Sequence, residues 1–290
     1  MATERGASDG RVLERLHDPR PLVTVELRPP RSDLSYGDSM DTWIDMHHSV
    51  RRLAGHDTLM FLTDNAVGRA EEENLRHLTT NLADAVEPSR VVPFLTSKHS
   101  LEYCLMYAAR AASHGFEALT VLGGDRSVGR PRCVEHAYQL RRRIRARVPA
   151  LRLGGWANPH RDPERQVDYL LADEFEAEFY LTQVVSHHDL RQVERFVETA
   201  RRRGVPYPAV FGVFYYRSAN PRTLGRLSEF FHVPVDGIAR DFDSGLSADE
   251  ICARSVRALR EVGADKVYLS NLGMREAAGE YERVLEAVGD

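Results

Sequence analysis

The stretch RVVPFLTSKHSLEYCLMYAARAASHGFEALTVLGGD, Arg90 to Asp125, contains one complete strand, helix, strand unit. Its outer parts, VVPFLT and ALTVLG, are short and almost continuously apolar, as strands covered on both faces must be. Between them, over residues 100–115, apolar side chains recur at spacings of three and four, and Gly115 marks the helix end. A crossover of this length is what joins two parallel strands, because the chain has to return to the edge from which the first strand started.

The same alternation extends in both directions. Eight apolar runs occur: LVTVEL (22–27), TLMFLT (58–63), RVVPFLT (90–96), ALTVLG (118–123), LRLGGW (151–156), EFYLTQVV (178–185), AVFGVFY (209–215) and KVYLSN (266–271). Eight parallel strands with intervening helices predict an α/β fold, a single (β/α)8 TIM barrel. An open doubly wound sheet would usually have fewer strands and a Gly-x-Gly-x-x-Gly turn after the first, and no such turn is present. The seventh-to-eighth connection is the longest; it carries an extra turn within 235–245 before a helix opened by the capping box of Ser247 and Glu250. With no low-complexity linker and no short repeat, the barrel is expected to span 19–290 as one domain. Residues 1–18 read as a polar extension, partly disordered or helical.

Bulk properties narrow the class. The 290 residues are 42% hydrophobic and 28% charged, with a net charge of −4, which implies no basic face for a nucleic acid. Arginine clusters such as RRRIRAR (141–147) read as solvated helix faces. Only Lys98 and Lys266 are lysines among 39 basic residues, a skew that fits a GC-rich genome. Cys104, Cys133 and Cys252 form no Cys-x-x-Cys pair, which predicts a reducing compartment and no structural zinc. The N-terminus lacks an apolar signal region and no run of about 18 apolar residues occurs, so a cytoplasmic protein with no membrane partner is expected.

In a barrel of this kind the reactive face is built from the C-terminal strand ends and the loops after them. Here those positions are polar: Glu26 after the first run; Asp64 and Asn65 after the second; Thr96 and Lys98 at the third; Asp125 in LGGD after the fourth. Asn158 and His160 follow the fifth run, Gln183 lies within the sixth, Tyr215 and Tyr216 end the seventh, and Asn271 ends the eighth. A buried lone carboxylate is costly unless paired, hydrogen-bonded or protonated, so Glu26, just before Pro29 and Pro30, either pairs with Arg28 or Arg31 or is employed in chemistry. Two carboxylates converging with an amide suit a cationic intermediate or a ring with several N–H donors. The pairs His47-His48 and His187-His188 are read as no metal site, because neighbours on a helix or strand point apart. No Gly-x-Ser-x-Gly elbow is present for a serine hydrolase.

The order of VELRPP on the first strand, LGGD after the fourth, LTQ on the sixth and YLSNLGMREA near the C-terminus resembles the methylenetetrahydrofolate reductase family over about residues 20–285. That family has a Glu-x-x-Pro-Pro-like first strand, Arg-Gly-Asp after strand four, Thr-Gln on strand six and Leu-Asn near the end. The departures fall on positions that hold FAD in the usual members. Thr63-Asp64-Asn65-Ala66 stands for Thr-Tyr-Gly-Ala, Phe94-Leu95-Thr96 for His-Leu-Thr, Gly123 for the Arg of Arg-Gly-Asp, and NPHRDP (158–163) for Tyr-Pro-Glu-x-His-Pro. Losing a stacking tyrosine and an arginine while gaining Asp64 removes phosphate-binding groups and adds negative charge. The pattern is similar to the short flavin-independent reductases of mycobacteria and their relatives.

The resemblance implies reduction of 5,10-methylenetetrahydrofolate with NADH as hydride donor and FAD absent. Glu26 is then the general acid and Asp125 the carboxylate that stabilises the iminium cation. Gln183, Tyr215 (or Phe214), Asn271 and Lys98 fall to folate binding. Asp64, Asn65, Thr96, Asn158 and His160 fall to the nucleotide. The alternatives are an FAD-dependent enzyme of the same family, a non-catalytic folate- or nucleotide-binding barrel, and a barrel oxidoreductase acting on another cyclic amine or iminium.

Overall fold

In the computed structural model, residues 12–64, 75, 82, 84–124 and 129–289 are described. Eight parallel strands close into a barrel in chain order. They are β1 (Leu22–Leu27), β2 (Met60–Leu62), β3 (Val91–Thr96), β4 (Ala118–Leu122), β5 (Arg152–Ala157), β6 (Phe179–Val185), β7 (Ala209–Phe214) and β8 (Lys266–Ser270). Each falls on one of the eight apolar runs. Ten described helices accompany them: α1 (Val12–His17), α2 (Tyr36–Leu53), α3 (Leu101–Ser113), α4 (Ala137–Arg147), α5 (Pro163–Leu171), α6 (Leu190–Arg202), α7 (Pro221–Ser228), α8 (Val235–Asp243), α9 (Ala248–Glu261) and α10 (Ala277–Val288). The extra turn expected within 235–245 is α8; α7, before it, was not expected, and the Ser247–Glu250 capping box opens α9.

Strand periodicity sorts side chains into two layers. On β1, Val23, Val25 and Leu27 join the large cluster beneath the helices, whereas Leu22 joins the barrel interior with Phe61, Val92, Phe94, Phe179, Leu181, Val210 and Tyr268. Two glycines make room for the large rings inside. A Cβ on Gly154 would meet the Phe179 ring at 2.5 Å, and one on Gly212 would meet Tyr268 Oη at 2.5 Å. Real Cβ atoms do not approach so closely, so glycine at these strand positions is a packing requirement.

The N-terminal end of the barrel is closed by α1. Val12 and Leu16 belong to the interior cluster and are 1% and 2% exposed. Arg15 Nη1 donates to the Thr58 carbonyl at 3.1 Å and also pairs with Asp57, tying α1 to the entry of β2. Lys266 Nζ donates to the Asp18 carbonyl at 2.6 Å, binding the following turn to β8. The segment read as a polar extension therefore contributes, through two apolar residues one helical turn apart, the floor of the barrel.

Leu16→Ala should lower stability by about 2–5 kcal/mol, the usual cost of emptying a buried leucine site. Equilibrium denaturant unfolding measures it. A change within about 0.5 kcal/mol would show α1 to be surface.

Candidate active site

At the C-terminal strand ends the inward side chains become partly accessible. Glu26, Leu122, Trp156 and Phe214 occupy the last inward positions of β1, β4, β5 and β7, and each is partly exposed above a fully buried interior. Among the described residues the mouth is thus apolar and aromatic, with the Glu26 carboxyl in its wall. The Glu26 Oε1 accepts a hydrogen bond from Ser270 Oγ at 2.8 Å, across the seam where β8 pairs with β1. Below lies Tyr268, whose phenol donates to the Thr182 carbonyl at 2.7 Å. Arg31 pairs with Asp33, so the ion pair it was offered as for Glu26 is made elsewhere.

Burial raises the Glu26 pKa above the ordinary carboxyl value, and it outweighs the opposing pull of the Arg28 charge and the Ser270 hydrogen bond. The Tyr268 phenol is pushed well up, first by burial and then by the Glu26 charge. A carboxyl whose pKa is raised by burial, partly exposed beside Leu122, Trp156 and Phe214, is suited to hand a proton to a bound base.

A second carboxylate, Asp64, follows β2. Its Oδ2 accepts from the Thr96 amide at 2.8 Å and the Thr96 hydroxyl at 3.1 Å, and His99 Nε2 lies 2.8 Å from Oδ1. The His99 ring in turn stacks on Tyr103, with centroids 4.5 Å apart. Asp64 and Thr96, both expected at the nucleotide, are thus joined in a buried clamp that ties the end of β2 to β3. Lys98 is buried, its aliphatic stem lying where a Cβ on Gly124 would meet it at 2.9 Å. Gly124 itself has φ +70°, a left-handed conformation suited to glycine. At Gly123, where the family resemblance lacks an arginine, a Cβ would meet the Arg132 guanidinium carbon at 2.7 Å. An arginine from the loop after β4 covers this position instead, and Arg132 also donates to the Gly124 carbonyl.

On the far side, Asn158 and His160 organise the β5 exit. The Asn158 side chain accepts from the His160 amide at 3.0 Å, and His160 Nε2 lies 2.9 Å from the Val184 carbonyl. Gln183 sits where the pairing of β6 with β7 shifts register, and its amide oxygen accepts from the Val184 amide at 3.0 Å. This local bond is the satisfied partner that a polar residue in an apolar run requires.

Two expectations need correcting. Tyr215 belongs to the layer under the helices, and its hydroxyl donates to Asp249 Oδ1 on α9 at 2.6 Å, which turns it away from the mouth. Phe214, one residue earlier and paired with Ser270, takes the inward position. The histidines of His187-His188 do not point apart: they lie in a 3-10 turn, with ring centroids 4.0 Å apart and their Nε2 atoms 3.0 and 2.8 Å from Asp241 Oδ2. Burial and His188 lower the His187 pKa below the usual histidine value.

Asn271 adopts φ 72°, which asparagine tolerates, and its amide donates to the Tyr215 carbonyl at 3.0 Å, locking the ends of β7 and β8 together. Asp125 and Asn65 lie outside the described residues. Sequence reasoning missed Ser270, Trp156, His99 and Arg132. Counting by twos from Glu26 and along KVYLS would have placed Ser270 inward; nothing local signalled that Arg132 returns to Gly123.

No protein-family model matches the chain, and a search of curated proteins finds no match. Solved structures do share its architecture. A protein from Clostridium thermocellum that binds two copies of 5-methyl-5,6,7,8-tetrahydrofolic acid is 14% identical, with a TM-score of 0.63 over 93% of this chain and 94% of that one. An F420-dependent secondary alcohol dehydrogenase in complex with an F420-acetone adduct is 10% identical, at TM-score 0.54 over 93% and 100%. The apo form of MsnO8 is 13% identical, at TM-score 0.57 over 93% and 98%. At these identities the likeness is one of fold.

Proposed function

We propose that this barrel binds a reduced folate and reduces 5,10-methylenetetrahydrofolate to 5-methyltetrahydrofolate, taking hydride directly from NADH without a bound flavin. The observation that carries the reading is Glu26: a carboxyl of raised pKa, hydrogen-bonded to Ser270, in a mouth lined by Leu122, Trp156 and Phe214. One fold neighbour binds a methylated tetrahydrofolate and another is an F420-dependent dehydrogenase, which supports a folate-binding or oxidoreductase barrel. The methylenetetrahydrofolate reductase motifs around Glu26, Asp125, Gln183 and Asn271 narrow the reading to this reaction.

In this reading Glu26 protonates N10 of the substrate, and the bond from N10 to the bridging carbon breaks. The resulting N5 iminium accepts hydride at that carbon, and Glu26 regains its proton from solvent. The aromatic mouth excludes water from the iminium and stacks the pterin or aminobenzoyl ring, with Phe214 in the place first given to Tyr215. Asp125 is assigned the second carboxylate on the strength of the sequence motif, and Lys98 the glutamate tail. Asp64 and Thr96 fix the β2 and β3 ends against which the nucleotide would lie, with Asn65, Asn158 and His160 as its remaining neighbours.

Colourless, flavin-free protein should convert NADH and methylenetetrahydrofolate to methyltetrahydrofolate. A protein that purifies with bound flavin and is inactive without it selects the FAD-dependent alternative, and folate binding without turnover selects a binding barrel. Glu26→Gln should cut turnover by about 10²–10⁴-fold, the usual worth of a general acid, while folate binding persists. Retained turnover removes Glu26 as the acid.

The same variant has a stability signature. Because the folded-state pKa of Glu26 is raised, its contribution to stability is present below the unfolded carboxyl pKa and lost as pH rises through the folded value. Glu26→Gln should therefore flatten the fall in stability over that interval in denaturant titrations at stepped pH. Ser270→Ala removes a donor that favours the ionised form, and should move the alkaline limb of the pH–rate profile upward. A downward shift would show that the serine serves the protonated carboxyl instead.

A further inference from the structure

On the same face as the mouth, but around the exit of β6, two histidines and an aspartate converge without a role in the reading above. His187 and His188 lie in the 3-10 turn after β6, and Asp241 lies near the end of α8. All three are largely enclosed: their side chains are 11%, 22% and 8% exposed. A single oxygen, Asp241 Oδ2, faces His187 Nε2 at 3.0 Å and His188 Nε2 at 2.8 Å.

Hydrogen-bond accounting shows what is missing. Ser255 Oγ donates to the Ile251 carbonyl at 3.2 Å, so toward His187 Nδ1, at 2.9 Å, it is an acceptor. His187 therefore carries its proton on Nδ1 and a lone pair on Nε2. That Nε2 is buried and has no hydrogen-bond partner among the described residues. Asp241 Oδ2, 3.0 Å away, does not lie in line with that nitrogen, so a cation seated between the two imidazoles and the carboxylate would supply the partner it lacks. The remaining Asp241 oxygen, Oδ1, is held by Arg254 Nη1 at 3.1 Å. A ring nitrogen fixed by an outer hydroxyl and a carboxylate fixed by an outer guanidinium are the supports that metal ligands require.

We infer that His187 Nε2, His188 Nε2 and Asp241 Oδ2 form a binding site for a divalent transition-metal ion of the zinc or cobalt class. Two imidazoles and one carboxylate suit such ions, and a position for water or another ligand stays open. Beside the trio lies a cavity of about 480 Å³ that His188, alone of the three, lines together with Asp189, His232, Gly237 and Arg240. A Cβ at Gly237 would meet the His188 ring at 2.7 Å, so glycine there lets α8 approach the turn closely. Bound metal would pin the exit of β6 to α8.

The adjacent trio His160, Asp189 and His232 also brings its donor atoms within 4.8 Å of one another. There, however, His160 Nε2 is engaged by the Val184 carbonyl, His232 pairs with Asp189 at 3.1 Å, and Asp189 accepts from Ser186. The first trio is selected because it is the more enclosed, His232 being 52% exposed, and because His187 Nε2, though 3.0 Å from Asp241, makes no hydrogen bond among the described residues.

Titration of the full chain, dialysed against chelator, with Co²⁺ should give one equivalent of visible absorption that Zn²⁺ displaces. His187→Ala and Asp241→Asn should abolish it, and the double variant His160→Ala, His232→Ala should retain it. Ser255→Ala leaves every ligand in place yet frees the His187 ring, and should weaken binding about 10–100-fold. Far-UV circular dichroism checks that each variant is folded; should His187→Ala fail to fold, the wild-type stoichiometry and Ser255→Ala decide. Absence of saturable Co²⁺ binding by the wild type, undiminished binding in folded His187→Ala or in Ser255→Ala, or loss in the His160, His232 variant alone overturns the assignment.

Discussion

The register with which β8 closes onto β1 governs the chemistry of the mouth. Val25 pairs with Leu269, which leaves Glu26 and Ser270 beside each other on the inner face at the open end. In a strand the side-chain period is two, so a slip of one residue would turn Glu26 into the layer occupied by Val23, Val25 and Leu27. A carboxyl there would be packed among side chains such as Trp43 and Met46, away from Ser270. The closure that satisfies the apolar outer layer is therefore the one that delivers Glu26 to the mouth.

The two ends of the barrel divide stability from reactivity. At the N-terminal end α1 seals the interior with Val12 and Leu16, and the layers above it are filled by rings for which Gly154 and Gly212 make room. Below Glu26 the described interior positions are thus filled, whereas Glu26 itself is partly exposed at the mouth. Tyr268 links the halves: its hydroxyl holds the Thr182 carbonyl, at the place where β6 shifts register against β7. A rigid floor under a partly exposed wall is what allows a carboxyl to be desolvated without being sealed in.

Much of this was legible in the sequence because parallel barrel strands are covered on both faces and announce themselves as apolar runs; all eight fell where expected. Glu26 was legible too, since a charge at the end of such a run has few alternatives. What failed was finer than a strand. The choice between Phe214 and Tyr215 turns on a single step of parity, and both residues are aromatic. That Asn158 also caps its own turn is a local bond that composition does not reveal. For His187 and His188 the error lay in assuming helix or strand geometry, whereas a 3-10 turn capped by Ser186 brings the two rings to one oxygen. The roles of α1 and Arg132 depend on contacts across the fold, and no local pattern encodes them.

The two carboxylates described around the mouth show why one is suited to give up a proton and the other to hold structure. Asp64 accepts from the Thr96 amide and hydroxyl and lies against His99 Nε2, so its oxygens are committed to joining β2 with β3. Releasing any of these would leave a buried amide or hydroxyl without its acceptor. Glu26 is engaged by a hydroxyl that can rotate and accept as readily as it donates, and Phe61, its partner across the β1–β2 pairing, is apolar. Protonation or deprotonation of Glu26 therefore breaks no strand-to-strand bond. The barrel has placed one carboxylate in a clamp between β2 and β3 and the other beside a serine at the β8–β1 seam, and the difference in their surroundings follows from their partners.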